Sequence, residues 1–186
     1  PHKDGAELAW QAGDAEALPF EDNMFNAISC GFGILHLGAP DTFLQEAFRC
    51  LRPGGRLAFS VWAAPPATEG FDLILGAVKA AGNPEVPLPP GPPFFRFSDE
   101  TESKRSLEKV GFVNARVTTV PQEWHVSDPA SLFETFQKGT ARTRALLEGQ
   151  TKEQLAGIKA HIAESFAARP PGPLRMPTVV SSAEKP

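Results

Sequence analysis

Asp14 and Ala15 form a step whose residue types suit the binding of a purine. The Asp offers a carboxylate acceptor, and the next residue offers a backbone N–H donor. An adenine ring presents the complementary pair, an amino group and a ring nitrogen. We therefore predict that these two residues read a purine at the end of a strand. The alternative is an Asp that bonds only its own turn, as Asx turns commonly do.

A second candidate pair, Gly31 and Phe32, ends an apolar stretch that predicts a strand over Phe25–Gly31. Open parallel sheets bind ligands beyond the carboxyl ends of their strands, and a glycine there lets a ligand approach the backbone. The alternative is a flexible glycine turn with Phe32 in the core. His36 follows, and it is either a general base facing the ligand or a structural histidine.

The elements that position these residues alternate between strands and helices. Leu8–Gln11 is predicted to be a short strand, Phe25–Gly31 a buried parallel strand, and Arg56–Trp62 a central strand. A helix opens at Pro40 and is stopped by a Pro-Gly-Gly turn. One apolar stripe runs along it: Phe43, Leu44, Ala47, Phe48 and Leu51. The order predicts a βαβ unit, and hence an α/β fold with a mostly parallel sheet.

Three runs of residues in this unit resemble the class I S-adenosylmethionine-dependent methyltransferases. They are Asp-Ala-Glu-x-Leu-Pro-Phe from Asp14, Phe-Asn-Ala-Ile-Ser from Phe25, and Leu-Arg-Pro-Gly-Gly-Arg-Leu from Leu51. The residues of these motifs are most similar to the branch of ubiquinone/menaquinone-biosynthesis C-methyltransferases. The sequence departs from the family at Asn26, where Asp is more common, so the hydrogen bonding is kept and the charge is lost.

The resemblance implies a Rossmann-like doubly wound sheet with S-adenosylmethionine as cofactor. It implies cofactor contacts at Asp14, Ala15, Gly31 and Phe32, and the Phe32 ring could lie near the sulfonium. The family's glycine-rich loop has no counterpart, since neither G-x-G-x-x-G nor G-x-G-x-G occurs in the sequence. We therefore expect an N-terminally truncated domain that lacks its first strands and that loop.

The function implied is methyl transfer to a small-molecule acceptor, expected to be lost in this truncated chain. The alternative is a non-catalytic remnant or binding module of the same fold. A short-chain nicotinamide oxidoreductase would need a Tyr-x-x-x-Lys pair, and the sequence contains no tyrosine. Neither the acceptor nor any catalytic residue is identified by the sequence.

We expect residues 1–186 to form a single partial methyltransferase domain with three segments. Residues 1–63 are the core sheet segment, residues 64–110 a Pro-rich insert and a helix, and residues 111–186 the terminal strands and cap helices. The insert and the cap helices either close over a substrate or simply bury apolar surface. Six prolines in the eleven residues 83–93 predict a stiff extended loop, with a polyproline ligand as the alternative.

Outside the first unit, the patterns predict four helices and two strands, bounded by turn residues or caps. They are helices over Phe71–Ala81, from a Ser98 cap to Lys109, from Asp128 onward and over Thr151–Ala168, and strands over Phe112–Val120 and Met176–Ser182, with Glu123–Val126 a possible partner of the former.

Composition excludes several classes of function. A net charge of −4, with scattered basic residues, gives no footprint for nucleic acid. The longest apolar runs are too short for a membrane span and no signal peptide is visible, so we expect a cytoplasmic protein with no membrane partner. Cys30 and Cys50 are expected to be small buried hydrophobes. The four histidines lack metal-ligand spacing, so we predict no metal site.

Overall fold

A computed structural model describes residues 8–186 of the chain. The prediction of a strand over Leu8–Gln11 is wrong, because these residues form no strand. Their apolar side chains are not buried against a sheet, and Leu8 and Trp10 are 62% and 92% exposed. The apolar residues of this stretch suggested a strand, but no strand of the described sheet pairs with it.

The predicted βαβ unit is present. It consists of strand β1 (Phe25–Gly31), helix α1 (Pro40–Cys50) and strand β2 (Leu51–Trp62), and β1 and β2 pair in parallel. The Pro-Gly-Gly turn lies inside β2 rather than before it. Between the pairs Phe25–Leu51 and Ala27–Arg56 the register shifts, and Gly54 takes a left-handed φ of 78°. Glycine tolerates that conformation, so the chain can bulge without ending the strand.

Helix α2 (Glu69–Ala81) begins two residues before the predicted helix, and residues 83–93 form neither helix nor strand, as expected. Helix α3 (Glu100–Val110) has Asp99 as its N-cap, not Ser98 as predicted. The Asp99 carboxylate accepts from the Glu102 N–H, and Gly111 ends the helix in the left-handed conformation. Strand β3 (Val113–Val120) follows.

The remaining elements are short strands and the cap helices. Strand β4 (Glu123–Trp124) leads to helices α4 (Pro129–Gly139), α5 (Ala141–Glu148) and α6 (Lys152–Ala168), then to strands β5 (Leu174–Arg175) and β6 (Thr178–Glu184). The capping box of α6 is confirmed. Helix α5 was not predicted. Glu123–Val126 does not pair with β3, since β4 pairs with β5, and the last strand begins two residues later than predicted.

The main sheet has the order β1-β2-β6-β3 and is mixed. Strand β6 runs antiparallel to both β2 and β3, while β1 and β2 are parallel. The α/β Rossmann-like fold class is confirmed, but the prediction of a mostly parallel sheet is wrong, because two of the three strand pairings in the described sheet are antiparallel. The prediction that β1 is buried is wrong: four of its seven residues are exposed and none is buried, because β1 is an edge of the sheet that the structure describes.

Two separate clusters of buried side chains make up the core. In the first, α1 and α3 pack on the sheet around Leu44, Leu57, Phe59 and Leu107. In the second, the cap elements α2, α4, α5 and α6 pack around Phe71, Ile74, Leu132, Phe136, Leu147 and Ile158. The cap therefore has an apolar core of its own. No helix among residues 8–186 is long and apolar enough to cross a membrane, and a cytoplasmic location stays a prediction.

Arg96 joins the end of the Pro-rich loop to the sheet layer. Its guanidinium donates to both carboxylate oxygens of Asp41 at 2.8 and 2.9 Å, and to Glu102 at 2.8 Å. It also lies 4.7 Å from the centre of the Phe97 ring. The Arg96 side chain is 20% exposed, so these charge-assisted bonds form in a partly desolvated place.

We predict that Arg96→Ala lowers the free energy of unfolding by about 2 to 3 kcal/mol, because the Asp41 carboxylate loses both of its hydrogen bonds and Glu102 loses one of its donors. Chemical denaturation measures the change. Lys104→Ala is the control, since Lys104 forms an exposed pair with Glu100 on α3 and its loss should cost less than about 0.5 kcal/mol. Equal effects of the two substitutions would contradict this role of Arg96.

The same contact predicts a dependence on pH. The bond from Arg96 holds the pKa of the Asp41 carboxyl below its usual value of 3.8. A carboxyl group whose pKa is lower in the folded than in the unfolded protein stabilises the fold at pH values above its unfolded pKa. This stabilisation is lost as the pH falls through the folded pKa. Stability should therefore decline below about pH 4, and that decline should be shallower in Arg96→Ala.

Candidate functional site

The Asp14 carboxylate builds a turn and keeps one oxygen available. Its Oδ1 accepts from the Glu16 N–H at 2.9 Å, and its backbone carbonyl accepts from the Ala17 N–H at 3.1 Å. This is the Asx turn considered from the sequence. However, Oδ2 of Asp14 and the N–H of Ala15 have no hydrogen-bond partner among residues 8–186. The turn therefore leaves free the acceptor and donor that a purine would need.

Two carboxylates hold this turn against helix α1. Oε1 of Glu16 accepts from the Ala39 N–H at 2.8 Å, at the residue that precedes the helix. Oε2 of Glu46, inside the helix, accepts from the Leu18 N–H at 2.9 Å. The turn is thereby joined to the segment that follows β1.

Arg49 fixes the chain just after the turn. Its guanidinium donates to the carbonyls of Leu18 and Phe20, at 3.1 and 2.7 Å, and to the carboxylates of Glu46 and Asp22. The bonds from Arg49 lower the pKa of the Glu46 carboxyl. One helix side chain thus satisfies two loop carbonyls and sets the path of residues 18–22.

Gly31 and Phe32 lie at the carboxyl end of β1, beside Ser60 of β2. A Cβ added at Gly31 would meet no atom within 4 Å, so the space there is open. Phe32 has a φ of 54°, which is strained for a bulky residue. Its N–H donates to the carbonyl and the hydroxyl of Ser60, at 3.1 and 3.2 Å. Its ring lies 4.3 Å from that of Trp62, centre to centre.

The two predicted pairs lie on either side of the segment between β1 and α1, and no hydrogen bond joins one pair to the other in residues 8–186. Glu16 ties the first pair to Ala39 at the end of that segment, and β1 carries the second pair to its start. Both pairs therefore depend on the path of residues 33–39. The sequence analysis did not identify Ser60, Glu16 or Arg49 as residues of the candidate site, although each lies within or near a predicted motif or element.

Two cavities lie between this region and the cap. The first, which we call the aromatic cavity, has a volume of about 350 Å³ and includes Trp62, Phe71, Trp124, Phe136 and Met176 in its walls. Its main features are flat apolar rings, which suit an apolar ligand. Trp62 connects it to the Phe32 ring at the end of β1.

The second cavity, the His36 cleft, has a volume of about 480 Å³. It lies between residues 35–38, the Pro-rich residues 89–92 and the start of α5. His36 is the last residue of a short 3₁₀ turn, Ile34–His36, which follows the end of β1. Partial burial lowers the pKa of its imidazole, which favours the neutral ring that can accept a proton. Gly139 borders both cavities.

Neither cysteine has the features of a reactive thiol. Cys50 is buried as expected, whereas Cys30 is half-buried, and burial raises the pKa of both thiols. Such thiols remain protonated and react slowly. No group of three or more His, Cys, Asp or Glu side chains in residues 8–186 is arranged to hold a metal ion.

Comparison with known sequences gives a consistent result. Residues 2–59 match a family described as "Methyltransferase domain". The ubiquinone/menaquinone biosynthesis C-methyltransferase UbiE of Roseobacter denitrificans is 47% identical over 70 residues, which are 36% of this chain and 28% of that protein. The human mitochondrial 2-methoxy-6-polyprenyl-1,4-benzoquinol methylase is 38% identical over 117 residues, 58% of this chain and 36% of the relative. Over these regions the chain is similar to S-adenosylmethionine-dependent methyltransferases, in agreement with the resemblance carried by its motifs.

Solved structures show the same fold. A Bacillus halodurans protein solved as a candidate methyltransferase superposes with a TM-score of 0.51 at 19% identity, over 94% of this chain and 76% of that one. The YcgJ protein of Bacillus subtilis gives a TM-score of 0.50 at 15% identity, over 94% and 70%. This likeness concerns the fold alone. The matched region spans only about a third of the length of the two sequence relatives, or less.

The methyltransferase cofactor is compatible with the described residues. The adenine of S-adenosylmethionine offers an amino donor and a ring acceptor, which match the unpartnered Asp14 Oδ2 and Ala15 N–H. The open space at Gly31 leaves room for a ligand against the backbone. The two pairs predicted from the sequence thus lie where a ligand could reach them.

We predict that Arg49→Ala speeds hydrogen exchange at the Leu18 amide by at least tenfold, because the loop carbonyls lose their donor and Glu46 loses its partner. Exchange followed by NMR measures the change. Arg52→Ala is the control, since Arg52 donates only to the Asn23 carbonyl. Unchanged exchange at Leu18 in Arg49→Ala would show that the turn is held without Arg49.

Proposed function

We propose that this chain takes part in methyl transfer from S-adenosylmethionine to a small-molecule acceptor. The observation that supports this most is the unpartnered Asp14 Oδ2 and Ala15 N–H within the run that matches the methyltransferase family. A purine needs an acceptor and a donor side by side, and the Asx turn supplies both without further rearrangement.

Each candidate residue has a distinct role in this proposal. Asp14 and Ala15 bind the adenine edge, and Gly31 lets the cofactor lie close to the backbone. Phe32 presents an aromatic ring to the cationic end, a contact of the order of 1 kcal/mol. The cofactor, when bound, supplies a methyl group already activated on a sulfonium. The chain then has to align the acceptor and exclude water, so no fixed catalytic residue is required.

The aromatic cavity is proposed to receive the acceptor. Its rings favour a flat or apolar molecule, and Trp62 places one wall next to Phe32 at the sheet edge. The human relative is named as a methylase of a polyprenyl benzoquinol, which is an apolar aromatic compound. We propose an acceptor of that general character, an aromatic ring with apolar substituents. The cap helices would then close over a substrate.

We further propose that the 186-residue chain alone is a poor catalyst. Its sequence contains no glycine-rich loop, so the ribose and methionine ends of the cofactor would have few contacts. Within residues 8–186, β1 is an edge strand of the sheet, which is consistent with this proposal. A non-catalytic binding module of the same fold is the second candidate on the same observation.

A binding experiment tests the adenine contact. In the protein expressed from the complete reading frame that encodes this sequence, Asp14→Asn should weaken S-adenosylmethionine binding about 5- to 150-fold, which corresponds to 1 to 3 kcal/mol. Asn keeps the oxygen that holds the turn and replaces the free carboxylate oxygen by an amide donor. Titration calorimetry measures the affinity.

Asp72→Asn serves as the matched control, because Asp72 is exposed on α2 and outside both cavities. Its affinity should equal that of the unsubstituted protein. If Asp14→Asn also leaves the affinity unchanged, Asp14 only forms the turn. If the complete protein binds the cofactor without transferring its methyl group to any acceptor, the binding-module candidate is favoured.

A further inference from the structure

The His36 cleft lies outside the aromatic cavity and is not needed for the proposed function. Its walls are mainly aliphatic, with Leu35 and Leu37 on one side and prolines 89, 90 and 92 on another. A polar side chain in such a place usually fixes the orientation of a ligand. Only two of its described wall residues carry an ionisable side chain, His36 and Arg142.

Arg142 has no carboxylate partner among residues 8–186. Its one recorded hydrogen bond is long, 3.4 Å from Nη1 to the Pro89 carbonyl. Its neighbour Arg144, on the same helix, is instead paired with Glu148 at 2.7 Å. Neither Asp nor Glu is present in the described walls of the cleft. The positive charge of Arg142 is therefore not neutralised where it meets the cleft, in a chain whose net charge is −4.

A half-buried guanidinium over an apolar wall is well suited to a carboxylate. Its planar donors match the two carboxylate oxygens, and the partial loss of water strengthens the pair. Arg142 is half-buried, and its Nη1 would lie 3.3 Å from a Cβ added at Gly91, so the head group lies against the Pro-rich loop. The stiff loop thus holds one wall of the cleft next to the charge.

His36 supplies a different group on the other wall. A neutral imidazole offers one nitrogen that accepts a hydrogen bond and one that donates. The edge of the Phe94 ring lies near it, with the two ring centres 6.1 Å apart. The cleft therefore presents a cation, an uncharged polar ring and aliphatic walls.

We propose that the His36 cleft binds an amphipathic carboxylic acid, whose carboxylate pairs with Arg142 and whose apolar body lies along Leu35, Leu37 and the Pro-rich loop. A hydroxyl on that body donates to His36. This binding does not rest on the proposed function, in which the methyl acceptor occupies the aromatic cavity. The volume of about 480 Å³ is ample for one ring and its substituents.

The probes are 4-hydroxyphenylacetate and its neutral analogue 4-hydroxyphenylacetamide, titrated into the 186-residue chain without cofactor and followed by NMR. We expect the acid to bind at least tenfold more tightly than the amide. Arg142→Gln should remove that preference, and Arg144→Gln should leave it within twofold because Arg144 is already paired outside the cleft. The His36 imidazole resonance should shift on addition of the acid, while those of His125 and His161 should not.

Equal affinity for acid and amide overturns the proposal, as does an acid preference that survives in Arg142→Gln. A shift of the His125 or His161 resonance in place of His36 would place the acid elsewhere and overturn it as well. Because no cofactor is present, failure of this experiment leaves methyl transfer untouched. Conversely, failure of cofactor binding leaves the acid preference measurable.

Discussion

The bonds from the Phe32 N–H to the carbonyl and hydroxyl of Ser60 hold the carboxyl ends of β1 and β2 side by side. At the same residue the backbone is left-handed, with a φ of 54°, a conformation that costs about 1 to 3 kcal/mol and persists only where the surrounding structure holds it. This conformation turns the chain out of the sheet at Gly31 and lays the Phe32 ring on Trp62. Trp62 in turn forms one wall of the aromatic cavity, so the Phe32 ring links the end of β1 to that cavity.

Two apolar cores and the contacts between them explain how the cavities form. The sheet layer and the cap each bury their own side chains, so the boundary between them is where space remains. Arg96 ties the Pro-rich loop to α1 and α3 and thereby sets one side of that boundary. Gly139, the last residue of α4, borders both cavities. A ligand that occupied both would therefore contact the loop, the sheet edge and the cap together.

Local patterns predicted the elements whose periodicity and caps act within a few residues. The bounds of β1 and the capping box of α6 are examples. Local sequence patterns failed to predict elements that are stabilised by contacts between residues far apart in the chain. Glu123–Trp124 pairs with β5, about fifty residues away, and α5 has a weak apolar stripe that only burial in the cap stabilises. The sequence predicted Asp14 and Gly31 as candidate residues, but it predicted neither the left-handed backbone of Phe32 nor the bonds from its N–H to Ser60 of another strand.

The most direct test of the account is an NMR titration of the 186-residue chain with S-adenosylhomocysteine at millimolar concentration, followed through the backbone amides. The account predicts weak binding, with shifts concentrated at Ala15 and at residues 31–33, and smaller changes at Ser60. Shifts confined to the cap helices would contradict it, because the cofactor would then bind away from the carboxyl ends of β1 and β2. A spectrum that does not change at all would show that these residues alone form no cofactor site.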